Sequence, residues 1–204
     1  MINYLFSGTA KKKGFTKEQR EYLKKDIKSN MKIVYISSIP DNYERSDEQL
    51  LRYATFFNNI DIKFSKESVI DKRMNKDTAK ELINETDIIF LMGGSPELQM
   101  KFILEYDLVN EIKNKNIVLG VSAGSMNQSK RVIYKDDFDN YKLKDYQGLG
   151  LVDINIFPHM DLNNKELMKE AEEIKQIIPL ILLPNDSFIR VENNNVEIIG
   201  NHYI

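Results

Sequence analysis

Residues 117–124, Ile117-Val118-Leu119-Gly120-Val121-Ser122-Ala123-Gly124, constrain this chain more than any other stretch. An apolar run ends in Gly-x-Ser-x-Gly and passes directly into polar, helix-compatible sequence. That order predicts a buried strand, a sharp turn carrying Ser122 and a helix start, the layout of a nucleophile elbow. Glycines on both sides fit, because the backbone of such a turn is strained and crowded and side chains there would clash. The helix start aims unpaired N–H groups and a positive dipole end at the serine. The same letters could form an ordinary glycine–serine turn; the strand before and the helix after favour the elbow.

Composition narrows the chemistry. A chain of 204 residues is enough for one domain with a sizeable core, so residues 1–204 are read as a single domain. Hydrophobic residues make up 42% and charged residues 29%, a globular balance that argues against disorder. The net charge of −2 argues against a nucleic-acid partner. With no cysteine, a disulfide framework, a thiolate metal site and a cysteine nucleophile are all excluded. Two histidines are too few for a multi-histidine zinc site, so neither metal nor cofactor is expected. The stretch Met1–Gly8 lacks the pattern of a signal peptide, and no apolar run approaches membrane-spanning length. A cytoplasmic protein with no membrane partner, a monomer or a homodimer, is the expectation.

Hydrophobic periodicity alternates between two and 3.6 along the chain. Short apolar runs at 2–6, 31–37, 60–64, 87–92 and 117–121 predict strands. Helices are predicted over 15–29 with Thr16 as cap, 46–58 with Ser46 as cap, 76–85, 97–106 with Ser95 as cap and Pro96 in the first turn, 107–113 and 164–178. Residues 131–147 read as a polar loop region with at most a short strand. Alternation over 151–157 predicts a strand ending at Pro158-His159, and strands over 179–183, 187–191 and 195–199 close the chain. Strands alternating with helices make an α/β fold: one doubly wound, mostly parallel, flavodoxin-like sheet covered on both faces. The strand-rich end predicts an antiparallel C-terminal edge. In such folds ligands bind at the C-terminal ends of the strands.

A serine hydroxyl needs a base to take its proton, most often a histidine. His202 lies near the C-terminus and reads as a surface residue. His159 follows a predicted strand directly and shares the sheet edge of Ser122, so it is the candidate base. A carboxylate would hold the imidazole tautomer. Asp136, Asp137, Asp139 and Asp153 lie between the serine and the histidine, Asp153 inside the predicted strand, and Asp186 follows on a loop; spacing does not choose among them. Oxyanion donors are expected from Gly94, with Gly93 close behind, and from the Ala123 amide just after the nucleophile.

A strand ending in Gly93-Gly94-Ser95-Pro96, then Gly120-x-Ser122-Ala123-Gly124-Ser125, then Pro158-His159, together resemble peptidase family S51. That family includes dipeptidase E and cyanophycinase and has a fold similar to class I glutamine amidotransferases. The resemblance runs from Ser7-Gly8 to about Val191. It implies a serine-type peptidase acting on small peptides, with Ser122 as nucleophile, His159 as base, and Gly93 or Gly94 with Ala123 as oxyanion donors. The family's triad aspartate falls on Asp137, with Asp136 one step away. A second acidic position falls on Asn185, so that acid is absent unless Asp186 serves. In dipeptidase E a basic residue after the histidine helps bind the N-terminal aspartate, and the resemblance implies that only Lys165 or Lys169 could supply it here. A non-catalytic small-molecule-binding member of the same fold is the alternative.

Overall fold

The computed structural model describes residues 1–9, 14–136 and 139–204. Its frame follows from strands whose two faces are both buried. In β2 (Lys32–Ile36), Ile33 and Tyr35 join one apolar cluster while Val34 and Ile36 join another. The same split recurs in β4 (Ile88–Leu91) and β5 (Ile117–Val121). Period-two side chains that are apolar on both faces require helices on both sides.

Those helices are α1 (Lys17–Asp26) and α2 (Tyr43–Asn58) on one face, supplying Leu23, Tyr53, Phe56 and Phe57. On the other lie α3 (Lys76–Asn84), α4 (Pro96–Glu105) and α5 (Val109–Lys113), supplying Ala79, Ile83, Met100, Ile103 and Ile112. With β1 (Ile2–Phe6), β3 (Lys66–Ile70), β10 (Phe188–Glu192) and β11 (Asn195–Ile199), the described strands of the main sheet run β11-β10-β1-β5-β4-β2-β3. β1, β5, β4, β2 and β3 are mutually parallel. β10 runs antiparallel to β1 and β11 antiparallel to β10, which makes the antiparallel C-terminal edge.

Several expectations need correction. Residues 60–64 form no strand; the strand is β3, six residues later. Ile60 and Ile62 are buried, but in a turn packed beneath the α1–α2 cluster, so their alternation reports burial and not ladder pairing. Residues 131–147 contain a hairpin, β6 (Arg131–Asp136) with β7 (Lys142–Gln147), outside the main sheet. Its second strand is polar and half-exposed, so it carries no apolar run to betray it. The strand expected over 151–157 shrinks to β8 (Ile156–Phe157), which pairs with β9 (Ile181–Leu182) in a separate two-stranded sheet. Asp153 lies outside it, exposed and bonded to Lys130 Nζ at 2.7 Å. The cap of α2 is Asn42, which accepts from Arg45 N–H; Ser46 is buried inside the first turn against the Ser37 hydroxyl. Thr16 and Ser95 cap α1 and α4 as expected, and α7 (Lys165–Lys175) is capped by Asn164.

Candidate active site

The C-terminal ends of β1, β4 and β5 converge on one crevice. Ser122 follows β5 directly, at φ 51° and ψ −110°. A non-glycine residue at such angles costs on the order of 1–3 kcal/mol and persists only where its surroundings enforce it. Here they do: the Ser122 N–H donates to Phe6 O at 2.9 Å, and the Ser125 hydroxyl donates to the same carbonyl at 2.8 Å. The helix behind the turn, α6 (Ala123–Met126), is a single turn. It ends because its polar continuation is consumed by the interior: Gln128 Nε2 donates to Tyr4 O and Ser129 Oγ to Ile154 O. Only glycine fits at 124, since a Cβ there would stand 2.1 Å from Leu91 O on β4.

His159 is set at φ 60° just beyond β8. Its N–H donates to Ser7 Oγ at 2.7 Å, and that hydroxyl donates to Leu183 O at 2.7 Å. Ser7, at the end of β1, therefore ties the histidine turn to the main sheet although β8 lies outside it. The imidazole Nε2 stands 2.8 Å from Ser122 Oγ. Its Nδ1 stands 2.7 Å from Asn185 Oδ1. A carbonyl oxygen facing Nδ1 requires the proton there, which leaves the Nε2 lone pair facing the serine hydroxyl.

None of the described candidate triad acids is the partner of Nδ1. Asp137 lies outside the described residues. Asp136, 3.8 Å from Lys144 Nζ, lines a depression of about 230 Å³ on the β6 side of Ser122. Asp139 is bonded to Lys144 Nζ at 2.8 Å, and that hydrogen bond holds its carboxyl below the usual carboxylate range. Asp186 adjoins the imidazole's partner in sequence, at φ 71°, and its carbonyl accepts from Gln19 Nε2. The group at Nδ1 is thus a neutral amide that a search for carboxylates passes over. The signal for it was its place in the Leu183-Pro184-Asn185 segment after β9.

Gly93 and Gly94 follow β4. The Gly93 carbonyl accepts from Ser38 Oγ at 2.6 Å and from Gln49 Nε2 at 3.0 Å. In a trans peptide the next N–H points the opposite way, so the Gly94 N–H is turned away from both donors. Gly94 itself stands at φ 146°, and a Cβ would meet Ser38 Oγ at 2.3 Å. A Cβ on Gly93 would be 3.6 Å from Ser122 Cβ, which puts this turn against the nucleophile elbow. The N–H groups of Gly94 and Ala123 donate to no group among the described residues.

A larger cleft of about 640 Å³ opens on the α2 side, lined by Ser122, His159 and Asn185 together with Arg45, Gln49 and Arg52. Lys165 and Lys169 line neither depression; both lie on the exposed side of α7, where Lys169 is 4.0 Å from Glu173. Among the described residues no cluster of three or more acidic, histidine or cysteine side chains could hold a metal ion, and no helix is long and apolar enough to cross a membrane.

Known proteins resemble this chain along nearly its whole length. The model of peptidase family S51 matches residues 4–199. Peptidase E of Nostoc sp. strain PCC 7120 is 22% identical over 203 residues, covering 90% of this chain and 80% of that protein. Among solved structures, a candidate peptidase E from Listeria monocytogenes EGD-e superposes with a TM-score of 0.72 at 15% identity, covering 97% of each chain. A peptidase from an acI-B1 actinobacterium gives 0.72 at 14% identity, covering 98% of this chain and 87% of its own. At such identities the two structures speak for the fold, and the family match speaks for the chemistry. Spanning nearly all of the chain, that match makes it a member of peptidase family S51, a serine-type peptidase of the peptidase E kind.

Proposed function

We propose that this chain hydrolyses small peptides, acting as a dipeptidase that favours an N-terminal aspartate, through an acyl-enzyme on Ser122. One observation carries the reading: a serine at a strained elbow with its hydroxyl oxygen 2.8 Å from an imidazole nitrogen. In the proposed reaction Ser122 Oγ attacks the scissile carbonyl while His159 Nε2 takes its proton. The carbonyl oxygen becomes an oxyanion that the Gly94 and Ala123 N–H groups receive. His159 returns the proton to the leaving amine as the C–N bond breaks. Water, deprotonated by the same imidazole, then attacks the ester and releases the acid and the free serine. Asn185 acts through His159 as a positioning residue that holds the tautomer. The family likeness supports a small peptide as substrate; a cytoplasmic setting and a monomer or homodimer complete the proposal.

The test is amine release from Asp-X, Glu-X, Asn-X and Ala-X dipeptides, with Ser122→Ala beside the unaltered protein. Turnover of Asp-X should exceed the others and fall by about five to six orders of magnitude in the variant. Full activity in Ser122→Ala would end the mechanism; turnover without preference for Asp-X would end the specificity.

A further inference from the structure

We infer that the face of α2 bearing Arg45 and Arg52 is the carboxylate-recognition arm of this site, receiving a substrate residue that carries a free carboxylate. The inference rests on the peptidase reading and extends it to residues that no sequence pattern marked. Arg45, Gln49 and Arg52 stand four and then three positions apart, which puts them on one side of the helix. All three line the cleft that Ser122, His159 and Asn185 also line.

Gln49 fixes the arm relative to the chemistry. Its side chain is buried, and its Nε2 donates to Gly93 O at 3.0 Å. The peptide whose other end is the candidate oxyanion donor is thereby bonded directly to the helix that carries the arginines. A substrate carboxylate held by α2 is held in register with the carbonyl under attack, the arrangement that positioning needs.

The charge of the cleft agrees. Two arginines line it against one aspartate, Asp186. Arg52 forms no ion pair among the described residues, and Arg45 is joined to Glu48 at 3.3 Å. In that pair the side chains are 43% and 56% exposed, a setting in which an ion pair contributes little and yields readily to a better partner. A guanidinium offers a planar fork that matches a carboxylate with two parallel hydrogen bonds, which a lysine does not.

Two carboxylates could use the arm: the terminal one of the leaving residue, or the side chain of an acidic residue. The experiment compares Ala-Ala, Ala-Ala amide, Asp-Ala and Asp-Ala amide as substrates of the unaltered protein, Arg45→Gln, Arg52→Gln and the double variant. A fluorophosphonate probe of the unaltered protein reports Ser122 reactivity separately. The preference of the unaltered protein for carboxylate over its neutral counterpart should collapse about ten- to a hundredfold in the double variant, chiefly through KM. Collapse of the acid-over-amide ratio identifies the terminal carboxylate; collapse of the Asp-over-Ala ratio identifies the side chain. If the probe labels Ser122 and peptides are cleaved, but the ratios survive in the double variant, the arm is overturned and the peptidase reading stands. If nothing is cleaved and the probe does not label, both fall.

Discussion

Asn185 does at the imidazole what a carboxylate does in most hydrolase triads, but without charge. Its Oδ1, 2.7 Å from Nδ1, selects the useful tautomer. It cannot stabilise the imidazolium by Coulomb attraction as a carboxylate would. Asn185→Asp should therefore let His159 hold its proton to higher pH. The acid limb of the kcat/KM profile is expected to move up by about one to three pH units. A profile that stays in place would show that residue 185 does not face the base during turnover. Gly8 guards the same pair. A Cβ there would meet Asn185 Oδ1 at 2.6 Å and His159 Cε1 at 3.0 Å. Both contacts fall on side chains, so Gly8→Ala should displace Asn185 and leave the fold intact. Retained thermal stability with activity lowered at least tenfold is expected; a full rate would mean that the pair tolerates displacement.

At the scale of elements, the site is an agreement between the ends of β1, β4 and β5 and two turns that follow β8 and β9, outside the main sheet. β1 ends at the Ser7 hydroxyl, which receives the His159 N–H and donates to Leu183 O. Ser7→Ala would leave the His159 N–H without its partner, while Leu183 O would keep the Met160 N–H at 3.0 Å. Its expected cost is about 1–3 kcal/mol, and in a chain of this length each kcal/mol lowers Tm by roughly 2–4 °C. A melting curve checks that, and a greater loss of kcat than of stability would show the histidine turn drifting from Ser122. The elbow and its strand were legible because β5 is apolar on both faces and the turn glycines are required sterically. So were Gly93-Gly94 and the placing of His159 after Pro158. The sheet that holds His159 was not legible: two residues of β8 pair with two of β9, too short a ladder for periodicity to register. Nor was the β6–β7 hairpin, whose outer strand is held by charge, with Arg131 bonded to Asp145 at 2.6 Å. Asn185 was legible only as the place of a missing acid, because a neutral amide shows no role until its neighbour is known. Arg45 and Arg52 escaped because charged residues on a helix usually mean only a solvated face.

At the scale of the molecule, the sheet places β1 at its hinge, parallel to β5 on one side and antiparallel to β10 on the other. The C-terminal pair is fastened there by one buried cation. Arg190, 1% exposed, bonds Asp26 of α1 at 2.7 Å, Glu192 at 2.7 Å and Glu197 of β11 at 2.9 Å. Asp26 also accepts from the Tyr4 hydroxyl of β1 at 2.6 Å. One charge network thus joins the first helix, the hinge strand and both antiparallel strands. Burial alone would raise the Asp26 carboxyl; the Arg190 and Tyr4 hydrogen bonds outweigh it and hold the group below the usual carboxylate range. A group whose value is depressed by folding stabilises the protein above its unfolded value, near 3.9, and that stabilisation is lost as pH falls through the folded value. Arg190→Met would leave the Asp26 carboxylate, 7% exposed, without its cation. The expected cost at neutral pH is about 3–5 kcal/mol, the penalty for breaking a buried pair from one side. The deficit should shrink on acidification below about pH 4, because the unaltered protein loses the same attraction as Asp26 takes up its proton. Denaturant titrations of both proteins from pH 7 to pH 3 measure it. A deficit constant across that range would mean that Arg190 contributes by packing its stem, and that the C-terminal strands are held to β1 by their ladder and apolar contacts alone.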